Sequence, residues 1–304
     1  MKVFVTGATG FVGQEILRGL RNAGHSIRFL AREHSGHVAQ QFAPRFRVEA
    51  SLGDVLDPGS LDNALAGANA VIHLVGIISE VGENTFENIH TGGTQNILAA
   101  AQRAGVRRFV HMSALGTRPD AVSRYHKSKW AAEEAVRNSG LEYTIFRPSL
   151  IYGRKDHFVN LFAKIIRWSP IIPVLGRPKA KFQPVPVEAV AISFVKSLSE
   201  PRSIGATFDL CGSETLTMPE ILDQISQVIG RRRLKLRVPA MVAKCQAAFL
   251  EFVFPRLFRK AAPLNRDQLI MLQEDNVGNR EPARELFGLE PTSFRHGIAK
   301  YLEP

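Results

Sequence analysis

The chain has 304 residues, of which 45% are hydrophobic and 22% charged, a composition typical of a globular protein with one large α/β domain and a smaller appended one. Its two cysteines, Cys211 and Cys245, are too far apart to indicate a disulfide framework or a paired-cysteine metal site, which favours a reducing compartment. The formal net charge is +11, and much of it lies between residues 231 and 260, where nine lysines and arginines accompany one acid, Glu251.

Short apolar runs alternate with helical patterns through the first half of the chain. The predicted strands are 2–6, 26–30, 46–50, 70–75, 108–112 and 143–146. Helices are predicted at 11–20, from residue 61, at 94–103 and at 127–138. This alternation, with strands that are apolar on both faces, is typical of an α/β fold in which helices cover both faces of a Rossmann-type, doubly wound parallel sheet.

The pattern changes after residue 153, where prolines become frequent and helical patterns dominate. Helices are predicted at 158–168, 187–198, 219–229 and 241–254, and a short strand at 207–210 is expected to rejoin the sheet. We therefore predict an NAD(P)-binding Rossmann domain over residues 1–153. A smaller, mostly helical domain for a substrate or partner follows over residues 154–304, with segments that return to the Rossmann sheet.

A glycine-rich turn joins the first predicted strand to the first helix. Gly7, Gly10 and Gly13 have the spacing Gly-x-x-Gly-x-x-Gly, which differs from the Gly-x-Gly-x-x-Gly of the classical dinucleotide motif. Glycine permits unusual backbone angles and a close approach to a pyrophosphate, and the helix N-terminus offers N–H groups to that anion. The strand, turn and helix together therefore predict a dinucleotide site.

The end of the second predicted strand bears on the choice between NAD and NADP. An acid near this position usually holds the ribose 2′-hydroxyl of NAD, but Ala31 stands there and Arg32 follows. A guanidinium pairs well with a 2′-phosphate, which favours NADP(H). NAD(H) stays open as the alternative, because Arg32 could be a solvated surface residue and Glu33 could serve the ribose. Asp54 could accept a hydrogen bond from the adenine amine, or could serve only as a turn residue.

Tyr125 and Lys129 form a Tyr-x-x-x-Lys pair near the start of the helix predicted at 127–138. Residues four apart lie on one helix face, so both side chains can reach one ligand. A nearby ammonium favours the phenolate, so we expect Lys129 to lower the pKa of Tyr125 towards a useful range. Tyr125 would then exchange a proton with a carbonyl or alcohol oxygen, Lys129 would also hold the nicotinamide ribose, and the cofactor would carry the hydride.

Several segments resemble, in order, the extended and atypical short-chain dehydrogenase/reductase superfamily. The resemblance is greatest to the branch that contains the accessory nucleotide-binding subunit of respiratory complex I and its bacterial relatives. The segments are 6–13, 53–55, 73–76, 93–96, 109–114, 125–129, 146–148 with 151–153, 182–185 and 275–277. The resemblance implies a Rossmann core and a small C-terminal domain that closes over the nicotinamide end of the cofactor.

The resemblance also implies a role for each part of the cofactor site. The glycine turn and the first helical residues hold the pyrophosphate, Arg32 contacts the 2′-phosphate, and Asp54 with Val55 contacts the adenine. Residues 74–76 flank the ribose, and Pro148 lies near the nicotinamide. The candidate cofactor-binding residues are Gly7, Thr9, Gly10, Phe11, Val12, Gly13, Arg32, Asp54, Val55, Leu74, Val75, Gly76, Lys129 and Pro148.

The substrate machinery departs from the pattern of active family members. These place Ser or Thr after the fifth strand to bind the substrate oxygen; Ser113 is the candidate here, but Ala114 could occupy the functional position. The helix after the fourth strand usually has an Asn three residues before its Gly-Thr, and His90 stands at that position, which we interpret as a structural histidine. The candidate catalytic residues are therefore Tyr125, Lys129 and Ser113.

The basic segment 231–260 is rich in bulky apolar residues, among them Phe249, Phe252 and Phe254. Such a segment suits a membrane surface, a partner in a protein complex or an apolar substrate entrance, and equally a helix that packs on the substrate domain with a solvated basic face. We see no motif that predicts nucleic-acid binding.

The location of the protein follows from what the sequence lacks. The first predicted strand begins at Lys2, which leaves no room for a signal peptide, and no apolar run approaches the ~18 residues of a membrane span. We therefore expect a protein that is cytoplasmic, either free or peripheral at the inner face of the membrane.

The first functional hypothesis is an NADP(H)-dependent oxidoreductase acting on a small carbonyl or alcohol substrate, which could be apolar. The alternatives are a non-catalytic nucleotide-binding accessory or assembly protein of a membrane respiratory or quinone-pathway complex, and a nucleotide-sugar epimerase or dehydratase of the same fold.

Overall fold

Seven parallel strands form the central sheet of the computed structural model, which describes residues 1–32, 36–258 and 261–302. Glu33, named above as an alternative ribose partner, and two of the basic residues, Arg259 and Lys260, lie outside the described residues. The sheet strands are β1 (Lys2–Thr6), β2 (Ser26–Ala31), β3 (Glu49–Leu52), β4 (Ala70–His73), β5 (Arg108–Met112), β6 (Glu142–Pro148) and β11 (Ala206–Leu210). Their order is β11-β6-β5-β4-β1-β2-β3, which confirms the predicted doubly wound Rossmann-type sheet.

Helices cover both faces of this sheet. In the first half of the chain they are α1 (Phe11–Asn22), α2 (Gly36–Phe46), α3 (Pro58–Leu65), α4 (Gly93–Arg103) and α5 (Arg124–Arg137), and a π-helical turn, Glu87–Gly92, leads directly into α4. Buried apolar side chains form one core on each face, because β1, β4 and β5 send alternate residues into both layers.

The second half of the chain adds short strand pairs and further helices. The strands are β7 (Ile151–Tyr152), β8 (Ile171–Val174), β9 (Lys181–Phe182), β10 (Val185–Pro186), β12 (Leu216–Thr217) and β13 (Leu234–Arg237). The helices are α6 (Phe158–Trp168), α7 (Val187–Ser197), α8 (Met218–Ile229), α9 (Ala240–Phe258), α10 (Arg266–Met271), α11 (Glu281–Phe287) and α12 (Phe294–Ala299). A separate core lies between α6, α8 and α12.

Part of this second half returns to the sheet, as expected from the short apolar run at 207–210. Strand β11 pairs in parallel with β6, and Phe208 lies opposite Phe146. The Phe146 ring also contacts Phe194 of α7 and Phe287 of α11, with centroid distances of 4.7 and 5.5 Å. These aromatic contacts join three separate segments of the C-terminal half to the Rossmann core.

The predicted third strand at 46–50 is wrong in its first residues. Phe46 is the last residue of α2, and β3 begins only at Glu49. Ala39, Phe42 and Phe46 are all buried, and the rings of Phe42 and Phe46 have centroids 4.4 Å apart. Their spacing of three and four residues places them on one helix face, so this segment buries its apolar side chains as a helix and not as a strand.

A buried carboxylate ties α5 to β6. The Glu133 side chain is 0% exposed and accepts hydrogen bonds from Arg147 at 2.6 and 2.8 Å and from Arg137 at 2.5 Å. Because α5 carries Tyr125 and Lys129, this network fixes the helix on which both candidate catalytic residues lie.

We expect Glu133→Ala to lower the free energy of unfolding by about 3 kcal/mol, since it leaves two partly buried arginines without their shared carboxylate. Denaturant unfolding measures the change. The matched control is Glu134→Ala on the same helix, whose side chain is 45% exposed and pairs with Arg137; it should cost less than about 1 kcal/mol. Equal losses in the two variants would contradict the structural role of Glu133.

Candidate functional site

A cleft of about 490 Å³ opens at the carboxyl ends of β1, β2 and β4. The chain order reverses between β4 and β1, and such switch points are where doubly wound sheets bind ligands. The cleft contains nine of the predicted cofactor-binding residues: Gly7, Thr9, Gly10, Arg32, Asp54, Val55, Leu74, Val75 and Gly76. The structure therefore brings together residues from four separate loops, as the sequence predicts.

The glycine turn is built for close approach. Gly7 has φ +72°, and a Cβ on it would lie 3.1 Å from the carbonyl carbon of Leu74. A Cβ on Gly13 would lie 2.4 Å from the Gly7 oxygen, so the absence of a side chain lets α1 pack against the turn. Gly13 and the buried Val12 therefore pack against the inner side of the turn. These two residues and Phe11 do not line the cleft.

Arg32 and Asp54, which are predicted to contact the adenosine end of a dinucleotide, both line the cleft. Arg32 is exposed at the end of β2, directly after the buried Ala31. The Oδ1 atom of Asp54 accepts a hydrogen bond of 2.9 Å from the Leu56 N–H, so Asp54 is a turn residue and also lines the cleft. The two interpretations of Asp54 are therefore compatible.

Lys129 is a buried cation at the wall of this cleft. Lys129 is only 2% exposed, and its Nζ donates a hydrogen bond of 3.1 Å to the Met112 oxygen. A Cβ on Gly76 would lie 3.1 Å from Nζ, which places the ammonium directly behind a residue that lines the cleft. Burial lowers the pKa of Lys129 to about 8, although Glu133 acts in the opposite direction.

Tyr125 lies one helical turn before Lys129 on α5. Its half-buried ring makes edge contacts with Phe86 and His90, with centroids 5.8 and 5.2 Å away. Burial, and then the negative charge of Asp267, raise the pKa of Tyr125 to about 12. This corrects the expectation that Lys129 lowers it: burial and the carboxylate of Asp267 determine the direction of the shift, and the phenol is protonated at neutral pH.

His90 connects the cleft wall to α5, as a structural histidine would. Its Nε2 accepts a hydrogen bond of 3.0 Å from the Ile77 N–H, and its Nδ1 lies 2.8 Å from the Ser128 hydroxyl. Burial lowers the pKa of His90 to about 2, so the ring is neutral and Nδ1–H donates to Ser128. The Ser128 hydroxyl in turn donates to the Tyr125 carbonyl oxygen at 2.8 Å, which completes a path from the cleft to Tyr125.

Ser113 and Pro148 are two further predicted residues that do not line the cleft. Ser113 is buried, with its N–H bonded to the Phe146 oxygen at 2.8 Å and its hydroxyl 3.4 Å from that of Thr117. Pro148 is buried at the end of β6, where its oxygen accepts from the Leu115 N–H. Ala114 is half-buried, so the structure gives Ser113 no clear advantage as a substrate ligand.

A second cavity of about 590 Å³ lies beside the N-terminus of α5. It shares Ser79 with the first cleft, and Phe86, which contacts Tyr125, forms part of its wall. Helices α9 and α10 provide the opposite wall. Its apolar lining residues are Phe86, Val122, Pro255, Ala262 and Ile270, and its charged ones are Glu80, Arg124, Glu251, Arg266 and Asp267.

Asp267 of α10 is a residue of the site that the sequence analysis missed. Its carboxylate accepts hydrogen bonds from the Ser123 hydroxyl at 2.8 Å and from the backbone N–H groups of Arg124 and Tyr125 at 2.8 and 2.9 Å. It therefore caps the helix that carries Tyr125. A capping acid separated by more than 140 residues from its helix leaves no local sequence signal.

Residues 7–161 match a family model described as NAD(P)H-binding. NADH dehydrogenase (ubiquinone) 1 alpha subcomplex subunit 9 of Arabidopsis thaliana mitochondria is 30% identical over 280 residues, covering 90% of this chain and 70% of that protein. Ceramide reductase of Caulobacter vibrioides is 32% identical over 238 residues, covering 78% and 73% of the two chains. UDP-glucose 4-epimerase of Thermotoga maritima is 18% identical, with a TM-score of 0.76 over 99% of this chain and 98% of that one, a likeness of fold alone.

Proposed function

Since the chain belongs to this family of NAD(P)H-binding proteins of the short-chain dehydrogenase/reductase type, we propose that it is an NADP(H)-dependent oxidoreductase that interconverts an apolar carbonyl compound and its alcohol. The observation that carries the proposal is the position of Lys129, a buried ammonium directly behind Gly76 at the cleft wall, on the same helix face as Tyr125. A buried cation is costly, and such groups are frequent at functional sites.

The residues of the cleft fit a dinucleotide. The turn at Gly7 and Gly10 leaves room for a pyrophosphate, and α1 begins at this turn with Gly10 as a cap that has no side chain to occupy the N–H groups. The cleft continues past Asp54 and Val55 on one side and residues 74–76 on the other. Arg32 at the adenosine end supplies the charge that a 2′-phosphate needs.

The chain's own residues would hold the substrate oxygen and move its proton. When bound, the cofactor supplies or accepts the hydride. Tyr125, protonated at neutral pH, donates its hydroxyl proton to the carbonyl oxygen during reduction. Lys129 holds the nicotinamide ribose and stabilises negative charge that develops on the phenol oxygen. His90 and Ser128 keep this part of α5 in register with the cleft wall.

The second cavity supports an apolar substrate. It adjoins the first cleft at Ser79, and Phe86, Val122 and Ile270 line it. Four of its charged residues lie in two ion pairs, Arg124 with Glu80 and Arg266 with Glu251, and the carboxylate of Asp267 is hydrogen-bonded at the start of α5. Similarity to a protein named ceramide reductase is consistent with a lipid-like substrate.

A nucleotide-binding accessory protein is the second candidate. Burial of Ser113 favours it, because the substrate side is then less complete than the cofactor side, and similarity to a complex I subunit agrees with it. Screening long-chain ketones for NADPH oxidation separates the candidates: turnover supports the oxidoreductase, and tight nucleotide binding without turnover supports the accessory protein.

Arg32→Ala tests the cofactor assignment. We expect it to weaken NADPH binding about 10- to 100-fold and to leave NADH binding unchanged, since a charge-assisted hydrogen bond to phosphate is worth about 1.5–3 kcal/mol. Titration followed by nucleotide fluorescence measures both affinities.

The matched control for this titration is Arg107→Ala. Arg107 is exposed and pairs with Glu142, and it precedes β5, at the sheet edge opposite the cleft. Both affinities should survive its removal. If wild type binds NADH as tightly as NADPH, or if Arg32→Ala changes neither affinity, the proposed preference for NADP(H) is wrong.

A further inference from the structure

Helix α9 exposes several of its bulky apolar side chains. Its buried residues are Ala243 and Ala247, which pack with Leu269 of α10. Phe249 and Phe252, in contrast, are 65% and 59% exposed. A surface helix of a globular protein normally buries its large apolar residues and exposes its small or polar ones.

Four of the six exposed bulky apolar residues of α9 share one face. At about 3.6 residues per turn, Met241, Val242, Phe249 and Phe252 fall within an arc of about 100°, directed away from Ala243 and Ala247. All four side chains are exposed. The face is therefore a continuous apolar stripe on the outer surface, and stripes of this kind mark interaction sites.

Cations accompany this stripe. Lys244 and Arg256 are exposed on the same helix, and the Arg256 guanidinium lies 3.9 Å from the centre of the Phe252 ring. Arg232 and Arg237 are exposed in the segment just before the helix. The acid of this region, Glu251, is bonded to Arg266 at 2.6 Å. The partner that this face fits is consequently apolar at depth and negatively charged at its surface.

We propose that the outward face of α9 docks the protein on an anionic lipid membrane. Among the described residues, no helix is long and apolar enough to cross a bilayer, so α9 lies in the plane of the interface, with its phenylalanines in the acyl boundary and its cations at the phosphates. Glu251 and Pro255 of the same helix line the second cavity, so docking brings that cavity to the lipid surface.

Vesicle co-sedimentation of the full-length protein tests the proposal. The probes are vesicles of phosphatidylcholine alone and of equal parts phosphatidylcholine and phosphatidylglycerol. Wild type should bind the anionic vesicles and be released by salt. The double variant Phe249→Ser/Phe252→Ser should lower the partition coefficient at least about tenfold, and Lys244→Gln/Arg256→Gln should lower it on anionic vesicles.

The matched control is Ile192→Ser/Ile204→Ser, which removes two exposed apolar residues on and near α7 and should bind as wild type does. Thermal unfolding checks that each variant folds. Absent binding by wild type, equal binding to both vesicles, or unaltered binding by the phenylalanine variant would overturn the proposal. The proposal would also be overturned if the wild type is a dimer that does not bind vesicles and the phenylalanine variant is a monomer, since the face would then join two copies of the chain. None of these readouts needs nucleotide or turnover, so this proposal fails or stands separately from the oxidoreductase.

Discussion

Replacing Tyr125 with phenylalanine is expected to lower kcat by about 10²- to 10⁴-fold, the usual contribution of a positioned general acid. The variant keeps the ring that packs against Phe86 and His90 and loses only the hydroxyl. NADPH affinity should therefore stay as in wild type. Steady-state kinetics on a ketone substrate, with nucleotide titration alongside, separates loss of proton transfer from loss of binding.

The pH profile sharpens this test. Because burial and Asp267 raise the pKa of Tyr125 to about 12, the phenol stays protonated across the neutral range, and the rate of ketone reduction should not fall between pH 6 and about 8 through this group. Alcohol oxidation needs the phenolate and should accelerate as pH rises. Tyr143→Phe, the same change on β6, is the control and should retain full turnover. An active Tyr125→Phe variant would exclude Tyr125 as the acid.

Lys129→Met is expected to stabilise the fold and abolish function. Holding a buried ammonium whose pKa has fallen from 10.5 to about 8 costs the folded state about 3 kcal/mol. Methionine has a similar length and no charge, so the variant should gain up to that amount at pH 7. It should lose turnover and bind NADPH more weakly, because the ribose loses its cation.

The sign of the pH dependence identifies the cause. Between pH 8 and 10.5 the unfolded wild type binds the Lys129 proton and the folded protein does not, so wild-type stability rises with pH through this window. The advantage of the variant is therefore full below pH 8 and disappears as pH approaches 10.5. Lys127→Met, at an exposed position of the same helix, should change stability little. An advantage that persists above pH 10.5 would show that packing, and not charge, is responsible.

The sequence predicted the parts of this molecule that depend on local pattern. The glycine turn, the alternation of strands and helices, and the Tyr-x-x-x-Lys spacing all act within a few residues, and the structure places the first two as expected. The missed helix α2 had a readable period in Ala39, Phe42 and Phe46, but Pro44 inside it obscured the signal.

The parts that could not be predicted depend on contacts between distant segments. The pKa of Tyr125 is set by burial and by Asp267, and neither follows from the spacing of Tyr125 and Lys129. Ser113 is buried beside the neighbouring strand β6, where its N–H bonds to the Phe146 oxygen. The direction of the outward face of α9 could not be predicted either, because the helix has apolar residues on all sides. Only the structure shows that Ala243 and Ala247 form its buried side.

The cap that Asp267 places on α5 has a consequence for the order in which the protein matures. Every residue that lines the cofactor cleft lies before residue 90, whereas the start of the helix with Tyr125 is fixed by a carboxylate near the end of the chain. During synthesis the residues that line the cleft are therefore made long before the carboxylate that completes the surroundings of Tyr125. The N-terminus of α5 acquires its final hydrogen bonds only when α10 has emerged and docked, so the surroundings of Tyr125 are among the last parts of the molecule to be completed.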